Sequence, residues 1–313
     1  MRRLVRERLL TTLLIAWATV TLAFFALRII PGDAITSQLL QGGASEADVA
    51  LRRAALNLDD PLLIQYFAYL VGLLRGDLGL SLLTHQPVTH LIAEQVGATF
   101  ILALAALAIA VAVGLGLGIL EALAGARWPG RLANLVSILA LSTPIYWTGT
   151  LAIYFFSTVT GLLPATGSGD LRHLLLPAGV LGFHIAGSIA RVTRSSIRQT
   201  LEADFVRTAR SKGLPAWQVL ARHVLRAGLP PILAVIALQT GFLLGGTVIT
   251  EMIFVRRGIG QLLQNAVLDQ DYPVVQGIVV LSAVVYSLVA AIADLLYVVL
   301  DPRIRITAGA EQQ

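Results

Sequence analysis

Long apolar runs alternate along the chain with short polar stretches that carry arginine, and this alternation predicts a set of membrane-crossing helices. Spans are read at 9–30, 97–121, 132–158, 174–194, 231–251 and 274–300, so the predicted fold is all-α and membrane-integral with six spans. Leu9–Leu27 is uncharged and follows Arg2, Arg3, Arg6 and Arg8. That pattern fits either a secretory signal or a retained span. The run outlasts a signal core and no small-x-small cleavage site follows, which favours the retained span. The interval 31–96 is the longest polar one. It holds Pro31-Gly32-Asp33, a Gly42-Gly43 turn, a capping-box pattern at Ser45–Asp48, and a helix opened by Asp60 and Pro61. The apolar stripe of that helix, from Leu63 to Leu74, is too short to span a bilayer, so the helix lies in the outer interface or packs on the spans.

Inside the spans the informative residues are small, polar or proline. Gly114 with Gly118, and Gly241 with Gly245, form small-xxx-small pairs that let helices approach closely. Pro144, in Ser142-Thr143-Pro144, interrupts the third span. It marks either a packing kink satisfied by neighbouring helices or hydroxyls, or a broken, polar point on a conduit. His184 reads as a hydrogen-bonded packing residue rather than a metal ligand. Gln239, Thr247, Thr250 and Glu251 place polar groups along the fifth span, on a path or on a seam between helices. With Ser142, Thr143 and Pro144 they are the candidates for lining a translocation path. Asp294, near the end of the last span, reads as snorkelling or paired with Arg303 or Arg305 rather than as a proton relay.

Between the fourth and fifth spans lies a basic, polar stretch, Glu202–Pro231, that reads as helix, turn, helix. Glu202 and Asp204 suit a first turn, and Arg207, Arg210 and Lys212 suit the far end. Gly213 is the expected stop. Pro215 suits the opening of a second helix, whose Trp217, Leu220 and Val224 share an apolar face. Pro230-Pro231 is expected to close the unit. A helical hairpin held between spans suggests a docking surface.

Composition agrees. The 313 residues are 56% hydrophobic and 13% charged, with mean hydropathy +0.78, where soluble domains carry about 25% charged residues. The charge of +5 follows the loops: arginines crowd the N-terminus, the 122–131 turn, the 195–230 loop and the 301–313 tail, and are sparse in 31–96 and 252–273. This bias predicts both termini and the hairpin on the cytoplasmic side. Without cysteine there is no disulfide framework and no thiolate metal site.

The hairpin resembles the cytoplasmic coupling loop of ABC-importer permeases, whose broad pattern is Glu-Ala-Ala, three residues, Gly, nine residues, Ile-x-Leu-Pro. Ala209 and Gly213 match it. Arg207, Thr208, His223 and Arg226 stand where that pattern has Glu, Ala, Ile and Pro, departures shared by the dipeptide/oligopeptide (peptide/nickel) branch. Further pieces resemble the first-permease type of that branch: Pro31-Gly32-Asp33, Arg75-Gly76-Asp77-Leu78-Gly79, Ser142-Thr143-Pro144, Asp271 to Gly277, and Asp301-Pro302-Arg303-Ile304-Arg305. The resemblance implies a type I importer permease fold over about 95–305 in the inner membrane. It further implies a sister permease, one or two cytoplasmic ATPase subunits that bind ATP and Mg, and an extracytoplasmic binding protein. It makes Lys212, Gly213, Leu214 and Pro215, with Ser211, the expected tip in an ATPase groove, and Arg207 and Arg210 its ionic partners. Di- and oligopeptides are the expected substrates, with a nickel complex, glutathione or an oligosaccharide as alternatives.

Other classes fit less well. No Gly-x-x-x-x-Gly-Lys-Ser/Thr cradle is present, so this chain is not expected to hydrolyse ATP and needs no cofactor of its own. A gradient-driven transporter commonly carries mid-membrane ionisable groups, and the predicted spans hold almost none. No His-Glu-x-x-His or Gly-x-Ser-x-Gly motif suggests an enzyme or a metal site. A nucleic-acid role is not expected, because the arginines are where membrane topology demands them.

Overall fold

The computed structural model describes residues 2–29, 45–47, 50 and 60–300, and among them there is no strand, only an isolated bridge between Leu80 and Pro87. Pro31-Gly32-Asp33, the Gly42-Gly43 turn, Asp48, Asp301–Arg305 and the side chain of Asp294 lie outside that description. The helices are α1 (Arg2–Ile29), α2 (Leu62–Leu74), α3 (Val88–Ala124), α4 (Trp128–Ser142), α5 (Ile145–Ala152), α6 (Leu171–Leu201), α7 (Asp204–Ser211), α8 (Ala216–Gln218), α9 (Leu225–Ile253), α10 (Ile259–Leu268) and α11 (Tyr272–Leu300). A π-helical stretch, Ile153–Val159, extends α5, and another, Val219–Val224, joins α8 to α9.

Among the described residues four helices are long and apolar enough to cross a bilayer, or five if the bent pair α4–α5, with its π-helical extension to Val159, counts as one broken span. Helix α1, Arg2–Ile29, carries the uncharged run Leu9–Leu27. The span read at 132–158 is not one rod. It breaks between Ser142 and Ile145 and turns through 112°. The boundary read at residue 230 is also absent from the backbone, since α9 runs through Pro230 and Pro231 to Ile253. Just before the prolines, Ser196 Oγ on α6 donates to the Gly228 carbonyl at 2.8 Å and ties α9 to α6.

The chain divides into two compact units, residues 1–97 with 258–287 and residues 98–257 with 288–313. In the first, α2 packs on α1 through aromatic rings. Phe24 is fully buried, and its ring centroid lies 5.3 Å from those of Phe25 and Tyr66. Thr21 Oγ1 and the Tyr66 hydroxyl share a 2.7 Å hydrogen bond. A second cluster joins Val88 and Ile92 of α3 to Ile259 and Ala266 of α10 and to Val274 and Ile278 of α11. Asp271, 3% exposed, accepts from Ser81 Oγ at 2.5 Å and from the Leu82 N–H at 3.1 Å. Two of the motifs read in the sequence are therefore tied through neighbouring residues by one buried carboxylate.

In the second unit α6 is the element the others pack on. Gly114 and Gly118 lay α3 against it: a Cβ on Gly118 would stand 2.5 Å from Thr193 Cβ, and one on Gly114 2.7 Å from Ile189 Cβ. Gly187 plays the same part toward α4, and Gly246 of α9 toward Leu181. With little hydrophobic drive between helices in lipid, such close backbone packing supplies much of the association. In the other predicted pair, a Cβ on Gly245 would meet no atom within 4 Å, so Gly246 rather than Gly245 makes the contact.

Candidate functional site

The hairpin stands on an apolar plug. Ile197 from the end of α6, Val206 and Ala209 from α7, and Val219 and Val224 from the π-helical stretch are all buried, with Ile119 and Ala122 of α3 packed against them. Val206, Ala209, Val219 and Val224 sit at three- to five-residue intervals within their segments, so each presents an apolar edge downward and a polar one outward. The π-helical turn changes the register. Trp217, predicted on the buried face with Leu220 and Val224, is 64% exposed, and Val219 is buried instead. A π turn takes up an extra residue, which rotates the residues before it relative to those after it.

The tip is open. Gly213 adopts φ +75° and its N–H donates to the Arg210 carbonyl at 2.9 Å, while a Cβ there would meet nothing within 4 Å. The positive φ selects glycine, and the empty space leaves the turn free to be covered. Arg207, Arg210, Ser211, Lys212 and Pro215 are exposed and Leu214 is half-buried. Arg207 lies 3.8 Å from Asp204 in a solvent-exposed pair, too weak to hold it. Beside the tip, Leu123, Leu201, Arg210, Leu214, Trp217 and Leu220 line a groove of about 310 Å³. Trp217 lines this groove, and Phe205, elsewhere on the hairpin, is 47% exposed. The sequence does not separate them from core aromatics.

The path candidates fall into two groups. At Ser142-Thr143-Pro144 the helix stops because Pro144 has no N–H for the Ala140 carbonyl, four residues back. His184 of α6 fills the gap: Nδ1 donates to Ala140 O at 2.9 Å, and Nε2 lies 3.0 Å from Thr148 Oγ1. A carbonyl only accepts, so this contact requires the proton on Nδ1. Thr143 Oγ1 donates to Leu139 O at 2.7 Å, and Thr148 Oγ1 lies 3.1 Å from Pro144 O. The break is closed by hydrogen bonds from a neighbouring helix and from its own hydroxyls.

Further along α9, Gln239 is half-buried, whereas Thr247, Thr250 and Glu251 have no exposed surface within this chain. Thr99 Oγ1 donates to Glu251 Oε1 at 2.7 Å, and Thr250 Oγ1 donates to Gly246 O. Burial pulls the Arg256 guanidinium below its ordinary range, and the Glu251 carboxylate opposes that shift. A second buried carboxylate, Glu121, was legible only as a span boundary. Its side chain accepts from Ser137 Oγ at 2.6 Å and from Arg194 Nη1 at 3.3 Å, and Arg194 Nη1 also donates to Asn134 Oδ1 at 2.7 Å. Among the described residues no group of three or more metal-ligating side chains converges.

Residues 114–306 match the family model described as binding-protein-dependent transport system inner membrane component. The chain belongs to this family. It is an ABC importer permease subunit, with catalysis of ATP hydrolysis left to other subunits. The permease is 36% identical over 298 residues to the glutathione transport system permease protein GsiC of Salmonella paratyphi A, covering 95% of this chain and 96% of that one. It is 35% identical over 300 residues to GsiC of Escherichia coli K12, covering 96% and 97%. In fold it is similar to a crystal structure of an amino acid ABC transporter, with TM-score 0.55, 16% identity and coverage of 67% of this chain and 94% of that one. Inward-facing MetNI methionine ABC transporter is similar with TM-score 0.58, 17% identity and coverage of 67% and 96%. The permease is thus an inner-membrane protein, helical through its described spans and similar in fold to these importers, and the family resemblance read from its loops extends over nearly its full length.

Proposed function

We propose that this permease moves glutathione, or tripeptides of similar size and charge, into the cytoplasm. It does so as one half of a heterodimer with a sister permease. One or two ATPase subunits, which bind ATP and Mg, drive it, and an extracytoplasmic binding protein delivers the solute. The observation that carries the substrate is near-full-length similarity to permeases named for glutathione transport. Glutathione is the alternative that the sequence left open, and it is preferred here to the expected di- and oligopeptides. Six spans, with both termini and the hairpin on the cytoplasmic side, complete the topology.

Coupling runs through the hairpin. Its open tip at Ser211–Pro215 sits in a groove of an ATPase subunit, with Arg207 and Arg210 as charged contacts. Its apolar plug on α3 and α6 makes it a rigid handle, so closure of the ATPase dimer moves the helices beneath it. Energy enters as contacts that differ between two states. The broken helix at Ser142-Thr143-Pro144 and the half-buried Gln239 face the path, while Thr247, Thr250 and Glu251 brace its wall from inside the chain.

Reconstitution of this permease with its co-purifying subunits and binding protein tests the reading. ATP-dependent uptake of labelled glutathione, competed by unlabelled glutathione and weakly by dipeptides, is expected. Uptake without ATP, or strict dependence on a nickel complex or an oligosaccharide, would overturn it.

A further inference from the structure

Where α3 ends and α4 begins, the permease carries an arginine-lined cleft that the transport reading does not use. It has a volume of about 330 Å³, and Arg131, Asn134, Arg194 and Arg198 line it together with Glu121. The Glu121 side chain is 3% exposed, and its oxygens already accept from Ser137 and Arg194. The cleft therefore presents surplus positive charge. Arg194 is held by Asn134 and Glu121 through one terminal nitrogen, which leaves the rest of its guanidinium fork to face a ligand. Arg131 and Arg198 are exposed and approach from different helices. Arg191 and Arg198 flank Arg194 on one face of α6, and the three line an adjoining cleft of about 320 Å³. Guanidinium groups converging on one cavity suit an oxyanion with several acceptor oxygens, such as a phosphate.

The surroundings choose the kind of phosphate. Trp128, next to the cleft at the start of α4, is 75% exposed, and tryptophan favours the membrane–water boundary. From there Leu132, Leu135 and Leu139 of α4 form an exposed apolar strip, 53%, 52% and 45% accessible. A charged pocket at the head of an apolar strip fits a phosphate that carries acyl chains.

We infer that this cleft binds the headgroup phosphate of an anionic phospholipid, with the acyl chains laid along α4. The inference needs only the membrane character of the chain. Its failure would leave the transport reading intact, and failure of glutathione uptake would leave the lipid site intact.

The test is native mass spectrometry of the detergent-purified permease with its co-purifying subunits, titrated with phosphatidylglycerol, phosphatidylcholine or inorganic phosphate. Retained phosphatidylglycerol with little phosphatidylcholine is expected. The double substitution Arg131→Gln, Arg198→Gln should lower phosphatidylglycerol affinity roughly thirtyfold. Arg131→Lys, Arg198→Lys should keep most of it, and Arg222→Gln, outside the cleft, should keep all of it. Equal retention of phosphatidylcholine, or full retention by the glutamine variant, would overturn the site. Displacement of the lipid by millimolar inorganic phosphate would reassign the cleft to a soluble phosphate and overturn the lipid assignment.

Discussion

The turn at Gly213 and the break at Pro144 both stop a helix between membrane-length runs, and they are built in opposite ways. At Gly213 the backbone closes its own turn, the side chains around it face solvent, and the apolar anchor lies below. At Pro144 the stop is enclosed: His184 takes up the Ala140 carbonyl that the proline leaves over, and Thr148 Oγ1 lies 3.0 Å from the other ring nitrogen. An open stop leaves surface for another molecule to fill. A closed stop is complete within the chain and fixes a shape. The comparison teaches that a helix interruption becomes a docking site or a structural corner according to where its freed polar groups go.

The largest effect is expected at the open stop. Gly213→Trp should lower ATP-dependent uptake at least about tenfold, with the permease still inserted and its unfolding midpoint nearly unchanged. Gly213→Asn, which tolerates a positive φ, should retain most uptake. Uptake assays beside a thermal melt separate the two effects, and normal uptake by the tryptophan variant would erase the distinction between the stops.

At the closed stop the effect falls on stability instead. His184→Leu leaves the Ala140 carbonyl without its donor and should destabilise the fold by about 1–3 kcal/mol. Substrate-stimulated ATP hydrolysis per folded molecule should stay near normal. Gly118→Leu, which drives a side chain into Thr193, should cost a similar amount, about 1–3 kcal/mol, by overpacking α3 on α6. Denaturation in detergent measures both.

Smaller effects sharpen the contrast at exposed sites. Asp170 caps α6 by accepting from the Arg172 N–H, and its bond with His173 holds its pKa below the ordinary value. A carboxylate with a depressed folded pKa contributes above its unfolded pKa and loses that contribution as pH falls through the folded one. Hydrogen exchange at Arg172 should therefore be steady at neutral pH and quicken relative to neighbouring amides only under acid conditions. Asp170→Asn should remove that acid dependence. Arg207→Gln, which breaks only the loose pair with Asp204, should leave the unfolding midpoint unchanged.

Much of this was legible in the sequence, for reasons local to it. Gly114 and Gly118 announce a close approach because four residues return to the same helix face, and Gly213 announces a stop because few other residues accept its φ. The apolar pattern makes the chain helical and membranous. What stayed hidden depends on distant partners. Nothing near Pro144 indicates that His184, on another helix, completes it. The exposure of Trp217 turns on a π-helical register shift that three- and four-residue spacing cannot reveal. Pro230-Pro231 reads as an end because proline usually ends soluble helices, yet α9 passes through it. Glu121 looks like a span boundary until Ser137, Asn134 and Arg194 gather around it.

The most direct test of the central claim uses the absence of cysteine. Lys212→Cys at the open stop and Thr148→Cys at the closed one each give a permease with a single thiol. In the assembled transporter, treated with a short thiol-to-amine cross-linker, Lys212→Cys should join to an ATPase subunit in a way that changes when ATP is added, and Thr148→Cys should not. Failure of Lys212→Cys to reach any ATPase subunit, in a complex that still transports, would contradict the assignment of the hairpin as the coupling element.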